Sequence, residues 1–168
     1  MTFAESGMFF DFSGLLTAEL IDLPENKFDG ASVVDFVAES EDALLFVEAK
    51  NYVNASDDPT IQAAIDKAQA ASFADIDDEV LFARRMIKKL EHSLFVQLAT
   101  GRLIRKPAVM VLLFNLPTTF RFPQRVKLLN RLKRYIPENA KGRTSIFFDM
   151  PTLSEAQERY GFTATVRL

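Results

Sequence analysis

The chain contains no cysteine, which excludes disulfide staples and thiolate zinc sites. Its single histidine, His92, excludes a metal centre built from several imidazoles. Only six glycines occur, each standing alone, so neither a dinucleotide-binding fingerprint nor a P-loop is present. Asn115-Leu-Pro-Thr-Thr reads as a strand-end loop and not as a phosphate cradle. The N-terminal stretch MTFAESGMFFDF lacks a basic region followed by a long apolar one, and no run reaches membrane-spanning length. The expectation is a cytoplasmic protein with no membrane partner.

What is present points to one globular domain spanning residues 1–168, with 48% hydrophobic and 26% charged residues. The net charge of −3 hides an asymmetry. Residues 1–80 carry 3 Lys/Arg against 18 Asp/Glu, and residues 81–168 carry 17 against 5. A split of this kind suits a polyanion-binding half. It equally suits two halves that fold together with their charges facing.

Alternation and punctuation predict strands at Thr17–Leu23, Ser32–Glu39 and Leu44–Tyr52. A helix opens at Pro59 with Asp57 or Asp58 as N-cap, and its inner face carries Ile61, Ile65, Ala68 and Ser72. A longer helix runs from Asp78 to Thr100, with Val80, Ala83, Ile87, Leu90, Leu94 and Leu98 inside and Gly101 as its stop. The continuous apolar run Ala108–Leu116 fits a strand buried on both faces. A basic helix over Pro123–Ile136, a short buried strand Thr144–Asp149, a helix Pro151–Tyr160 and a terminal edge strand Phe162–Leu168 complete the reading. The fold class is α/β, a three-layer sandwich with a central mixed sheet. Phe3, Phe9, Phe10 and Phe12 are read as core in preference to a homodimer contact.

The chemistry concentrates in two of these strands. Asp35 interrupts ASVVDFVAE, and Glu48 and Lys50 interrupt LLFVEAKNY. A carboxylate inside an apolar run is costly to bury without a partner. Closing the two strands through Ser40–Ala43 sets Glu39 opposite Leu44, Val37 opposite Phe46 and Asp35 opposite Glu48. Lys50 then shares their face, beside Val33, Val37 and Phe46. Two adjacent carboxylates repel unless a cation or proton lies between them. Hard oxygen donors suit Mg²⁺ or Mn²⁺, and a lysine beside them can orient a water or neutralise developing phosphate charge.

The pattern Asp, twelve intervening residues, Glu-x-Lys resembles the PD-(D/E)XK nuclease superfamily, which has the restriction-endonuclease-like fold. Asp35, Glu48 and Lys50 match its motif residues over roughly residues 15–116. The resemblance implies a core of helix, three strands, helix and strand. It implies Mg²⁺- or Mn²⁺-dependent hydrolysis of phosphodiester bonds, with Asp35 and Glu48 as metal ligands, the Ala49 carbonyl joining them, and Lys50 catalytic. Many members carry a further acidic residue upstream, for which the candidates are Glu5 and Glu19. Val34 stands where the motif often has proline, and the downstream Gln-x-x-x-Tyr spacing of the RecB-like branch is absent.

Three basic clusters suit a nucleic-acid partner, DNA in particular. One is Arg84, Arg85, Lys88 and Lys89. The second is Arg102, Arg105 and Lys106. The third is Lys127, Arg131 and Arg134, flanked by Arg125 and Lys133, opposite an inner stripe of Leu128, Leu132 and Ile136. Each also reads as a solvated helix face, and His92 reads as a surface residue. Two rivals to the nuclease remain: a nucleic-acid-binding or interaction module on the same fold without catalysis, and an assembly protein whose acidic half engages a basic partner.

Overall fold

Apolar residues line both sides of residues 44–51, so this strand must be covered above and below. The computed structural model describes residues 1–21, 32–53, 59–60, 62–64, 66–67, 78–101, 106–116, 122–135 and 146–166. Its strands are β1 (Thr2–Glu5), β2 (Met8–Asp11), β3 (Thr17–Leu20), β4 (Phe36–Glu39), β5 (Leu44–Asn51), β6 (Ala108–Asn115), β7 (Ile146–Asp149) and β8 (Thr163–Val166). Its helices are α1 (Glu79–Ala99), α2 (Phe122–Lys133) and α3 (Leu153–Tyr160). Helical backbone also occurs at 59–60, 62–64 and 66–67. The proposed N-caps Asp57 and Asp58 and the inner face Ile61, Ile65, Ala68 and Ser72 lie outside the described residues.

The architecture is α/β with a five-stranded mixed sheet, ordered β3-β4-β5-β6-β7. The first three strands are antiparallel, and β5, β6 and β7 are parallel. The turn between β4 and β5 is closed by Ser40, whose amide donates to the Ala43 carbonyl at 2.9 Å and whose Oγ accepts from the Ala43 amide at 3.0 Å. One face of the sheet packs against α1 and α2 through Val37, Phe46, Met110, Leu112, Phe82, Met86, Leu90, Leu128 and Leu132. The other packs through Phe36, Leu45, Val47 and Val111 against Phe10, Phe12, Ala156 and Phe162.

That second covering layer differs from the expectation of one sheet. β1, β2 and β8 form a separate antiparallel sheet, ordered β1-β2-β8. The β1–β2 hairpin turns on Ser6 (φ 52°) and Gly7 (φ 72°), the two positive-φ residues that a two-residue turn of this twist requires. The N-terminal phenylalanines accordingly divide. Phe10 and Phe12 are fully buried and Phe3 is half-buried, whereas Phe9 faces solvent. Where the resemblance implies a leading helix, residues 2–11 are this hairpin.

Other boundaries moved for identifiable reasons. Helix α1 is capped by Asp78, whose Oδ1 accepts from the amides of Val80 and Leu81. Its buried stripe is Phe82, Ala83, Met86, Leu90, Ser93 and Gln97. The helix is therefore rotated from the expected face, and Leu98 is 56% exposed. β7 is an edge strand: Phe148 is buried but Phe147 is 55% exposed, which corrects the expected buried strand. Helix α3 starts with a reciprocal capping box between Thr152 and Glu155 and ends at Gly161 in the left-handed region (φ 75°). Arg125 of α2 donates to the Met150 carbonyl and to Glu155, tying α2 to α3.

Candidate functional site

The β4–β5 register is Val37 opposite Phe46 and Glu39 opposite Leu44, as the spacing requires. The ladder ends at Phe36 opposite Val47. Asp35 sits in a bend just before β4, so it is not a ladder partner of Glu48. The bend also shifts the alternation by one residue. Val34, rather than Val33, joins Val37 and Phe46 in the helix-side core.

What joins Asp35 to β5 is a side-chain bond. Its Oδ2 accepts from the Ala49 amide at 2.7 Å. Its own carbonyl accepts from Ile21 at 2.9 Å, prolonging the β3–β4 pairing. Burial holds the Asp35 carboxyl above the usual range, and the bond from Ala49 opposes that rise.

Glu48 is fully buried on the face of β5 beneath α1. Lys89 of α1 donates to both of its oxygens, at 2.6 and 2.7 Å. Burial pushes the Glu48 carboxyl up to about 7, the Asp35 charge adds to the rise, and Lys89 opposes it. Lys50, two residues further along the same face, is exposed, and its charge favours the ionised form of both carboxyls. Asp35, Glu48 and Lys50 thus lie within electrostatic reach of one another. Glu5, at the tip of the β1–β2 hairpin, adds a further negative influence on Asp35.

Helix α1 fixes this corner by a polar stripe at helical spacing. Ser93 Oγ accepts from the Val34 amide at 3.0 Å and donates to the Lys89 carbonyl at 2.7 Å. His92 Nδ1 accepts from the Ser32 amide at 3.0 Å, so this histidine anchors the segment before Asp35 and is half-buried. Gln97 donates to Glu19 at 3.0 Å. Glu19 lies on β3 opposite Val37, held by that glutamine. Among the described residues, no group of three or more Asp, Glu or His could hold a metal ion. Lys89, Ser93 and Gln97 were legible only as polar residues spaced by four along a helix that carries many other polar residues.

In kind, the two carboxylates of Asp35 and Glu48 and the Ala49 carbonyl are hard oxygen donors of the type a divalent cation takes. The ammonium of Lys89 stands on the Glu48 oxygens such a cation needs.

The basic residues divide. Arg84, Arg85 and Lys88 are exposed on α1, whereas Lys89 points inward. Lys127 pairs with Glu79, Arg131 is half-buried with its Nε lacking a hydrogen-bond partner, and Arg134 is exposed. Ion pairs Lys89–Glu48, Lys106–Glu39 and Lys127–Glu79 join the basic half to the acidic half, so part of the charge asymmetry is neutralised by folding. Arg102, Arg105 and Ile136 lie outside the described residues. A cavity of about 450 Å³ lies at the turn end of β4–β5, between Ser40–Ala43 and Arg159 and Tyr160, away from Glu48. Among the described residues, no helix is long and apolar enough to cross a membrane.

No protein-family model, curated protein or solved structure matches the chain.

Proposed function

We propose that this protein is a metal-dependent nuclease that hydrolyses phosphodiester bonds in DNA, on a restriction-endonuclease-like core. One observation carries the reading. Asp35 and Glu48 are two electrostatically coupled, largely buried carboxylates at the end of one hairpin, with the exposed Lys50 beside them. Carboxyls pushed toward neutrality by burial beside a specific charged partner are candidates for a functional site.

In this reading Asp35, Glu48 and the Ala49 carbonyl hold Mg²⁺ or Mn²⁺. When bound, the cation supplies Lewis acidity and a water of lowered pKa. The Ala49 amide keeps the Asp35 carboxylate oriented through its 2.7 Å bond. Lys50, exposed at the strand end, offsets the negative charge that gathers on the phosphate under attack. Arg84, Arg85 and Lys88 on α1 offer backbone-phosphate contacts that carry no sequence information.

The test is incubation with plasmid and single-stranded DNA plus Mg²⁺ or Mn²⁺. Wild type cuts, Glu48→Ala does not, and Lys50→Ala is slowed. Absence of cleavage by wild type, or unchanged cleavage by Glu48→Ala, defeats the proposal.

A second reading is favoured by one contact. Because Lys89 engages both Glu48 oxygens, the same framework is consistent with a non-catalytic nucleic-acid-binding module. That reading requires salt-sensitive DNA binding that is indifferent to metal.

A further inference from the structure

Glu48 is buried and, among the described residues, carries one cationic partner within bonding distance, the Lys89 ammonium. The pair is bifurcated, with Nζ at 2.6 Å from one carboxylate oxygen and 2.7 Å from the other. A divalent cation on Glu48 needs at least one of those oxygens. Two cations held on one carboxylate beside Asp35 would repel, so an ammonium and a metal ion compete for the position. The rest of α1 is anchored by groups other than the lysine tip. Leu90, Ser93 and Gln97 are buried, and Ser93 fixes the backbone through the Val34 amide. Lys89 itself is 19% exposed, and its four-carbon stem can swing its tip toward solvent while the helix stays docked.

We propose that Lys89 is a resident counter-ion that the divalent cation must displace, so that Lys89 sets both the protein's metal affinity and its stability without metal. The inference rests on the metal-site reading above.

The test measures Mn²⁺ binding by calorimetry at pH 8 for wild type, Lys89→Met, Lys89→Gln and Glu48→Gln, with circular dichroism to confirm folding. Both Lys89 variants are expected to bind Mn²⁺ at least tenfold more tightly than wild type, and Glu48→Gln is expected to lose binding. In unaltered protein, Mg²⁺ is expected to raise the labelling of Lys89 by an amine-reactive reagent severalfold while leaving Lys88 unchanged, as read by mass spectrometry. Wild-type binding that Glu48→Gln abolishes, with no tightening in either folded Lys89 variant, overturns the displacement and leaves the metal site standing. Labelling of Lys89 unchanged by bound Mg²⁺ overturns it without any variant. No binding by wild type or by the Lys89 variants overturns both readings.

Discussion

Along β5, Leu45, Val47 and Ala49 enter a core built of apolar side chains, whereas Leu44, Phe46, Glu48 and Lys50 run from apolar to charged beneath α1. Glu48, Ser93 and Gln97, the fully buried polar residues among those described, all belong to the α1 side. On the opposite face, Phe36 touches Phe3, Phe10 and Phe12, with ring centroids 5.6, 4.8 and 5.3 Å apart. One strand therefore serves two purposes. Its aromatic face supplies burial, worth roughly 1.5–3 kcal/mol for each large apolar side chain. Its other face holds groups whose burial is unfavourable and must be offset by that gain.

The contrast can be broken from either side. Phe12→Ala removes a fully buried ring from the aromatic face, and a loss of about 3–5 kcal/mol in urea unfolding is expected. Any Mn²⁺ affinity at the proposed site should be unchanged in the folded fraction, and a large change would show that the two faces are not independent. Next in size is the pair on the other face. Lys89→Met leaves a buried carboxylate unpaired at pH 8, at a cost on the order of 3 kcal/mol. Combining it with Glu48→Leu should restore most of that stability, since the charge is then gone. A double variant as unstable as the sum of its parts would mean that the two side chains do not stabilise each other.

The smallest effect is in pH. The folded protein holds the Glu48 proton up to about 7, against an ordinary 4.5, so it binds that proton more tightly than the unfolded chain does. Stability from this group is complete below 4.5 and is lost as pH rises through about 7. Asp35, raised in the same direction, adds to the fall. Glu155 acts oppositely and in a separate window. The Thr152 amide draws it from 4.5 down to about 2, so its contribution is complete above 4.5 and is lost as pH falls from there through about 2. Melting temperature should decline from pH 5 to pH 7.5 in wild type, and less in Glu48→Gln. An equal decline in both would place the titration elsewhere.

The hairpin register was legible because Val37–Phe46 and Glu39–Leu44 leave only one alignment that buries the apolar set. The double burial of β6 was legible from its unbroken apolar run. The bend at Asp35 was not, since Ser32–Phe36 reads as continuous strand and only the bonds to His92, Ser93 and Ala49 reveal why it departs. The rotation of α1 was hidden for a related reason. Ser93 and Gln97 are buried by virtue of tertiary partners, Val34 and Glu19, that no helical periodicity encodes. The second sheet escaped because its turn, Ser6-Gly7, lies in a phenylalanine-rich stretch that also fits a simple core segment.

The bond from the Ala49 amide to Asp35 has a consequence for how the strands choose their alignment. A one-residue slip of β5 would turn Glu48 toward Phe36 and carry it away from Lys89, while presenting Leu45 and Val47 to the polar stripe of α1. Asp35 caps the amide that follows Glu48 and so favours the native alignment over that slip. Selection for pairing alone would retain this aspartate. Asp35 could therefore be kept in a descendant whatever became of Lys50, and the two residues need not be lost together.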